Sequence, residues 1–290
     1  MVDARASVLS ATARNRNASL FRHDRIRALA GLFSMKLDVR NLAKGVAGIA
    51  AAILAWESIR TLQIVDPRDL PSFLAILQTA FNGLSGGELA RALLATLGSW
   101  LPGLLIATGI GIAAGIALAL MPRLEVATRP LLEFLRPIPS VALIPVALLV
   151  LGIGLQMQLF MIAFASVWPV LFSAKAGVES VDPRYLETGR ALGLGWAGRM
   201  LRIVVPSTLP FVATGLRTAS AIALVLAITV EMLTGRPGIG FYIENVRLNG
   251  LVVEMWAAIF VAGVLGYLVN ALFMAIERKA LPWSPENRDR

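Results

Sequence analysis

The chain has no cysteine, a single histidine and few charged residues, which make up 16% of its 290 residues. Without cysteine it can form no disulfide, no thiolate metal site and no cysteine nucleophile. The one histidine, His23, lies in a basic N-terminal stretch, which excludes a three-histidine zinc site, a Ser-His-Asp triad and a relay of histidines. The sequence G-x-x-x-x-G-K-[ST] is also absent, so the chain cannot hold ATP by a P-loop. We therefore predict no metal site, no cofactor and no catalytic residue.

Hydrophobic residues make up 57% of the chain and gather in long uncharged runs. Soluble domains are about 25% charged, and about 20 apolar residues span a bilayer. The sequence thus predicts an all-α membrane protein with about six spans. These are residues 45–65, 93–121, two short spans within 137–174, 206–230 and 255–276. The break between the two short spans is expected at residues 152–156, where Gly and Gln cluster.

The net charge of +9 does not indicate nucleic-acid binding, because the basic residues form no stripe interleaved with aromatics. Of the 27 Lys and Arg, 21 lie in the N-terminal segment, the second and fourth loops and the C-terminal tail. Five lie in the other three loops, and Arg217 falls within the fifth span. The positive-inside rule then places both termini of this multi-pass membrane protein in the cytoplasm.

Three regions follow from this pattern. Residues 1–44 carry nine basic residues against three acids and form a cytoplasmic N-terminal segment. Near-helical spacing of its apolar residues leaves two alternatives open, a helix on the membrane surface or a disordered tail. Residues 45–277 form the transmembrane domain with a prominent loop at 178–205, and residues 278–290 form a cytoplasmic tail.

The loop at 178–205 contains a helix start, since Asp182 can act as N-cap with Pro183 in the first turn. Tyr185, Leu186 and Leu192 then place apolar side chains among charged ones. A short amphipathic helix that projects into water needs a partner groove. The alternative is a helix that lies against the lipid headgroups.

This loop resembles the signature of a known family. Glu187, Gly193 and the I-x-V-P sequence at 203–206 match every interval of the E-A-A-x3-G-x9-I-x-L-P signature of binding-protein-dependent ABC importer permeases. The departures are Thr188, Gly189 and Val205, all small or apolar. They bear on the rigidity of the helix, since Gly costs about 1 kcal/mol relative to Ala.

The resemblance extends over residues 70–283 and is similar to the nitrate/sulfonate/taurine (bicarbonate) subgroup. It rests on L-R-P-I-P at 135–139, I-P at 144–145, S-V-D-P at 180–183, G-L-R at 215–217 and A-I-T-V-E-M at 227–232. It implies the type I ABC importer permease fold. The chain would then work with a second permease copy, two cytoplasmic ATPase subunits and a periplasmic or lipid-anchored substrate-binding protein.

The resemblance also implies that the loop is a coupling helix, which docks into a cleft of the ATPase subunit. Glu187 could accept hydrogen bonds from the partner, and Gly193 permits a tight turn or a helix C-cap. The candidate coupling residues are Arg184, Tyr185, Leu186, Glu187, Gly189, Leu192 and Gly193.

Five residues are candidates for the translocation path: Pro139, Ser140, Arg217, Thr229 and Glu231. Prolines at the start of the third span predict either a bent helix lining the path or an irregularity of packing. Glu231 is a functional candidate as an ionisable residue of a span, or alternatively an ion-pair partner of Arg236 or a hydrated interfacial group. Arg217 could bind an anion, snorkel, or hold carbonyls of a neighbouring helix.

We thus predict the permease subunit of an ATP-driven importer that moves a small solute, an anion such as a sulfonate, taurine, nitrate or bicarbonate, by alternating access. A membrane-embedded enzyme is one alternative, but only Glu57, Glu231 and scattered hydroxyls could supply its catalytic groups. An ion-driven secondary transporter is another alternative, and it would require acidic residues in the middle of the membrane and internal repeats. Neither feature is evident in the sequence.

Overall fold

The computed structural model describes residues 39–283, with side chains from residue 44 onward. The predicted N-terminal surface helix and the end of the C-terminal tail lie outside these residues. The chain divides at residues 64 and 65 into two compact units. The described part of the first is one helix, α1 (Val39–Thr61).

The second unit is built from helices throughout residues 65–283. They are α2 (Phe73–Ser85), α3 (Glu88–Leu120), α4 (Pro122–Leu135), α5 (Ile144–Leu151), α6 (Leu155–Glu179), α7 (Pro183–Ala191), α8 (Trp196–Arg199), α9 (Val205–Thr234), α10 (Ile239–Leu248) and α11 (Val252–Ala280). A 3-10 turn, Ser140–Leu143, precedes α5, and a π-helical turn, Met200–Val204, joins α8 to α9.

Among residues 39–283, four helices are long and apolar enough to cross a bilayer. They are α3, α6, α11 and the continuous 39-residue stretch Trp196–Thr234. The bent pair of α4 and Ser140–Leu151 makes a fifth span if it is counted as one. The predicted first span corresponds to α1, which is not among them.

Three short helices lie where the spacing of apolar runs predicted only loops. The first, second and fifth predicted loops contain α2, α4 and α10, of 13, 14 and 10 residues. Helices this short are too brief to span a bilayer and gain most of their stability from packing. α2 packs on α11, and α10 packs on α9, α11 and α3.

The core is the contact of α3 with α6, and the two helices run parallel. A side chain at Gly103 would overlap Ile162. Twelve residues further along α3, Gly115 lies against the backbone of Leu171, which follows Ile162 on α6. Gly111, between them, also packs against α6. These glycines form a small-residue face that permits close approach of the two helices.

Because α3 and α6 run parallel, residues 121–154 must return along the bundle. α4 stays near the end of α6 that leads into α7, since Glu125 pairs with Lys175 at 2.9 Å. At the other end of α4, the Arg136 guanidinium lies 4.6 Å from the ring centroid of Phe172. The return is therefore made by the residues that follow.

The return segment bends by 85° between α4 and Ser140–Leu151. Pro137 and Pro139 lie at the bend, where each removes a backbone donor that a continuous helix would need. Ile144 and Ala147 then join the buried cluster of Met157 and Met161 at the start of α6. The predicted bend is confirmed.

The predicted break between the two short spans is also confirmed. α5 ends at Leu151, Gly152 has φ +69°, and α6 begins at Leu155. A left-handed backbone costs glycine little, which explains why the helix ends there.

The bundle has two opposite ends, which we name after their helices. α9 runs antiparallel to α6, from the α7 end to the α10 end, as shown by Gly215 against Ser173 and by the Gln158–Glu231 hydrogen bond. α11 returns toward the α7 end, where Trp283 lines the same groove as Tyr185. The C-terminal end of the bundle and the predicted coupling loop therefore lie on one side.

Candidate functional site

The predicted coupling helix is α7, and both of its ends are capped as the sequence predicted. Asp182 is the N-cap, and its side chain accepts a hydrogen bond of 2.9 Å from the backbone N–H of Arg184. At the other end Gly193, with φ +75°, donates its N–H to the carbonyl of Arg190, and Leu194 donates to that of Gly189. This pair of bonds forms a Schellman motif, which requires a left-handed residue at Gly193.

One face of α7 is held against the start of the long helix that follows. Gly189 is buried, and a Cβ there would approach Ile203 Cδ1 to 2.9 Å and Arg199 Cγ to 3.3 Å. The small residue thus lets the two segments pack closely. Ile203 lies in the π-helical turn that continues into α9, so α7 contacts the start of a spanning helix.

The other face of α7 projects away from the protein. Glu187 and Arg184 are exposed on this face. The apolar side chains of Tyr185 and Leu192, on the same side of the helix as Gly189, are 64% and 76% exposed. Leu186 is half-buried. Glu187 forms no salt bridge within the part of the chain that the structure describes. This face thus offers a carboxylate without an ion pair, and the apolar contacts of α7 lie on its other side.

A groove of about 450 Å³ borders the Gly189 side of α7. Its lining residues include Tyr185, Thr188, Leu192, Leu194, Arg202, Pro206 and Trp283. The sequence did not single out Arg202, Leu194 or Trp283, because nothing in their spacing shows that the C-terminal end of the bundle returns to α7.

The candidate path residues do not gather at one place. Pro139 is exposed and Ser140 half-buried, in the return segment. Thr229 is half-buried on α9 and donates its hydroxyl to its own helix, at the carbonyl of Val225. Arg217 lies 14 residues from Glu231 on α9, or about 21 Å along the helix axis.

Arg217 is held by a neighbouring helix. Its guanidinium lies 3.7 Å from the Glu277 carboxylate of α11, and 29% of its side chain and 9% of that of Glu277 are exposed. The sequence had offered an anion site, snorkelling or a hold on neighbouring carbonyls for Arg217; an acidic partner 60 residues away is visible only in the fold.

Glu231 lies in a buried polar cluster at the α10 end. Its Oε2 accepts hydrogen bonds from the Thr96 hydroxyl (2.9 Å) and the Gly240 N–H (3.1 Å), and its Oε1 accepts from Gln158 Nε2 (3.1 Å). Gln158 Oε1 in turn accepts from Arg236 Nε at 2.9 Å. Arg236, suggested as an ion-pair partner, therefore connects to Glu231 through Gln158. We call Thr96, Ser99, Gln158, Glu231 and Arg236 the Glu231 cluster.

Among residues 39–283, no group of three His, Asp or Glu side chains converges as a metal site would require. The structural features that stand out are therefore a projecting helix at one end of the bundle and a buried polar cluster at the other. Both belong to a helical bundle that crosses the membrane.

A family model for the inner membrane component of binding-protein-dependent transport systems matches residues 107–281. The chain belongs to this family. The permease is thus the membrane subunit of an ATP-binding cassette importer, a transport component rather than an enzyme, and its family works with an ATPase subunit and a substrate-binding protein. The predicted family and subunit type are confirmed.

Characterised relatives match most of the permease. It is 27% identical over 252 residues to the taurine transport system permease protein TauC of Escherichia coli (strain K12), covering 85% of this chain and 92% of the relative. It is 30% identical over 245 residues to the bicarbonate transport system permease protein CmpB of Synechocystis sp., covering 81% and 87%. The permease is therefore similar to members of the predicted subgroup along most of its length.

The fold matches a solved transporter as well. A chain of the inward-facing MetNI methionine ABC transporter superposes with a TM-score of 0.58 at 18% identity, over 66% of this chain and 95% of that one. This confirms the predicted type I importer permease fold.

Proposed function

We propose that α7, within the loop at residues 178–205, is the coupling helix through which an ATPase subunit drives the permease. The observation that carries this proposal is the two-sided geometry of α7. Its inner side packs through Gly189 against Ile203 and carries the exposed Tyr185 and Leu192 along a groove, and its outer side presents Glu187. A capped helix with an unpaired carboxylate and apolar neighbours is suited to a partner groove.

The connection to α9 supports a mechanical role. The helical stretch Trp196–Thr234 has 39 residues and passes through the π-helical turn without a loop. At about 1.5 Å per residue it is roughly 58 Å long, enough to reach from the loop to the far side of the bilayer. When ATP closes two partner ATPase subunits, two coupling helices would approach, and α9 would carry that movement across the membrane.

The remaining parts of the assembly are proposed on the same basis. Two copies of the permease, two ATPase subunits and a periplasmic or lipid-anchored binding protein form the importer, in the cell inner membrane. The basic residues concentrated in the loops of the α7 end favour a cytoplasmic location for that end and for both termini. Residues 1–44, 45–277 and 278–290 are the cytoplasmic segment, the transmembrane domain and the cytoplasmic tail.

The solute is proposed to be a small anion of the sulfonate, taurine, nitrate or bicarbonate class. The names of the relatives TauC and CmpB support this class. We propose that Pro139, Ser140 and Thr229 border the path, since each keeps some exposed surface. Arg217 and Glu231 are bound to protein groups, which favours positioning roles for both.

The test is charge reversal at Glu187. Glu187→Lys places a cation where we expect the ATPase to present hydrogen-bond donors, and losing such a charged contact costs about 2–5 kcal/mol. Uptake into proteoliposomes and copurification of the ATPase should both fall at least about tenfold. The thermal unfolding temperature should not change, because the side chain is exposed.

Glu133→Lys is the matched control, since Glu133 is also exposed on a short helix and its ion-pair partner among the described residues is Arg129, four residues earlier. It should leave uptake and assembly unchanged. If Glu187→Lys retained full uptake and assembly, α7 would instead be interpreted as a helix that lies against the lipid headgroups.

A further inference from the structure

The Glu231 cluster joins three spanning helices to the short helix α10. Thr96 and Ser99 lie on α3, Gln158 on α6 and Glu231 on α9. The exposed fractions of these four side chains are 0%, 3%, 1% and 0%. Burying a carboxylate is costly unless hydrogen bonds compensate it, so a group this completely enclosed indicates a built site.

Every group that faces the Glu231 carboxylate is a hydrogen-bond donor. The orientation of the Gln158 amide explains this, because Arg236 can only donate and therefore faces the amide oxygen at 2.9 Å. The amide nitrogen must then point the other way, where it donates to Ser99 Oγ at 2.9 Å and to Glu231 at 3.1 Å. The backbone N–H of Gly240 can act only as a donor.

The same cluster caps the start of α10. The first N–H groups of a helix have no partner within the helix. Here Ile239 donates its N–H to the Thr96 hydroxyl at 2.8 Å, and Gly240 donates to Glu231 at 3.1 Å. A partial positive charge at a helix start also favours a carboxylate.

The backbone approaches Glu231 so closely that only glycine fits. A Cβ at Gly238 would overlap the carboxylate, and one at Gly240 would overlap the carbonyl oxygen of Ile228. The turn at Gly238 and Gly240 is thus held by the buried carboxylate beneath it, and side chains on the outer face of α10 play no part in this. That outer face carries its own pair, in which the exposed Arg247 donates two hydrogen bonds to the half-buried Glu244 and lowers the pKa of that carboxyl.

We propose that Glu231 is a positioning residue for import: its carboxylate fastens the start of α10 to α3, α6 and α9, and it acts through the backbone of residues 238–240 without contacting the solute. The α10 end of the bundle, where the chain passes from α9 to α11, lies opposite the coupling loop. It then moves together with the spanning helices. This inference rests on the proposed function only for its transport readout.

A polarity exchange tests this directly. In Glu231→Gln one carboxylate oxygen is replaced by an amide nitrogen that faces other hydrogen-bond donors. The Gln158 amide cannot rotate to compensate, because its oxygen accepts a hydrogen bond from Arg236. In the double variant Glu231→Gln with Gln158→Glu, residue 158 accepts from Arg236 and from the new amide, while residue 231 still accepts from Thr96 and Gly240. Volume and net charge are unchanged, and the bonds to the α10 turn are preserved.

The first readout is hydrogen exchange of a peptide covering residues 235–248, measured on the permease alone in lipid nanodiscs. Glu231→Gln should raise the exchange of this peptide at least about tenfold, as expected for a lost hydrogen bond to a charged group. The double variant should restore most of the protection. Glu244→Gln, the same chemical change on the exposed face of α10, should have no effect.

The second readout is ATPase activity of the full importer with and without its binding protein. Glu231→Gln should lose the stimulation by the binding protein while basal hydrolysis stays, and the double variant should recover it. Thr96→Val, which removes the partner of the Ile239 N–H, is a second variant in case Glu231→Gln does not fold, and it should shift both readouts in the same direction.

Two results would overturn the proposal. Unchanged exchange of residues 235–248 in both Glu231→Gln and Thr96→Val would show that the carboxylate does not hold α10. Restored exchange protection in the double variant without restored stimulation would show that the charge must lie at residue 231 itself, as expected of a group that contacts the solute. Failure of the coupling-loop assignment would affect neither exchange result, because these use the permease alone.

Discussion

At the scale of single residues, two glycines of the coupling loop differ in what they require. Gly193 has φ +75°, whereas Gly195 has φ −63° and open space around its Cβ position. A left-handed backbone conformation costs an L-residue, which unlike glycine has a Cβ, about 1–2 kcal/mol. Only the first glycine is therefore needed for its backbone.

Gly193→Ala should thus loosen the end of α7, and Gly195→Ala should not. We expect faster tryptic cleavage after Arg190 in Gly193→Ala, together with weaker copurification of the ATPase. Equal cleavage rates in the two variants would show that the Schellman motif does not hold this end of the helix.

Gly189 stands where the family signature has alanine, and its surroundings permit the exchange. A Cβ would approach Ile203 Cδ1 to 2.9 Å, but that methyl group is the flexible end of a side chain. Alanine gains about 1 kcal/mol of helix propensity over glycine. Gly189→Ala should therefore retain uptake and slow hydrogen exchange in α7, while the bulkier Gly189→Leu should abolish uptake by displacing α7 from α9.

At the scale of elements, the Arg217–Glu277 pair fastens α9 to α11. Removing one partner of a buried pair leaves a charge without compensation, which costs about 3–5 kcal/mol when both are fully buried. Since 29% of the Arg217 side chain is exposed, we expect a smaller loss, about 1–3 kcal/mol, for Arg217→Met.

A double-mutant cycle separates the pair from its surroundings. Replacing both residues, Arg217→Met with Glu277→Met, should be less destabilising than Arg217→Met alone, measured by thermal unfolding in detergent. Additive losses would indicate that the two side chains act independently, and would reopen the alternative of an anion ligand for Arg217.

At the scale of the whole molecule, the parallel contact of α3 with α6 fixes which segments share a side. α3 begins at the α10 end, and α11 returns the C-terminus to the α7 end. A reporter inserted between Gly86 and Gly87 should therefore give a periplasmic signal, and one placed after Arg288 a cytoplasmic signal. Two signals from the same compartment would contradict this arrangement.

Much of this was predictable from local sequence signals. Apolar runs located α3, α6, α9 and α11, because a bilayer demands about 20 apolar residues whatever their tertiary partners. Asp182 and Gly193 predicted the two ends of α7, because helix caps are formed by neighbouring residues. The loops that contain α2, α4 and α10 were not recognised as helical, because short helices depend on packing partners distant in the chain.

The sequence by itself thus determined the class of the protein, its family and the positions of its four long apolar helices. Only the tertiary structure decided which polar groups of different spans meet: Glu277 with Arg217 across 60 residues, and Thr96 with Glu231 across 135. The physical reason is that a polar residue in an apolar helix can be recognised from the sequence as a group that requires a hydrogen-bond or ion-pair partner. The partner itself lies on another helix. Its identity depends on helix direction and register, which close contacts such as Gly115 with Leu171 set in three dimensions.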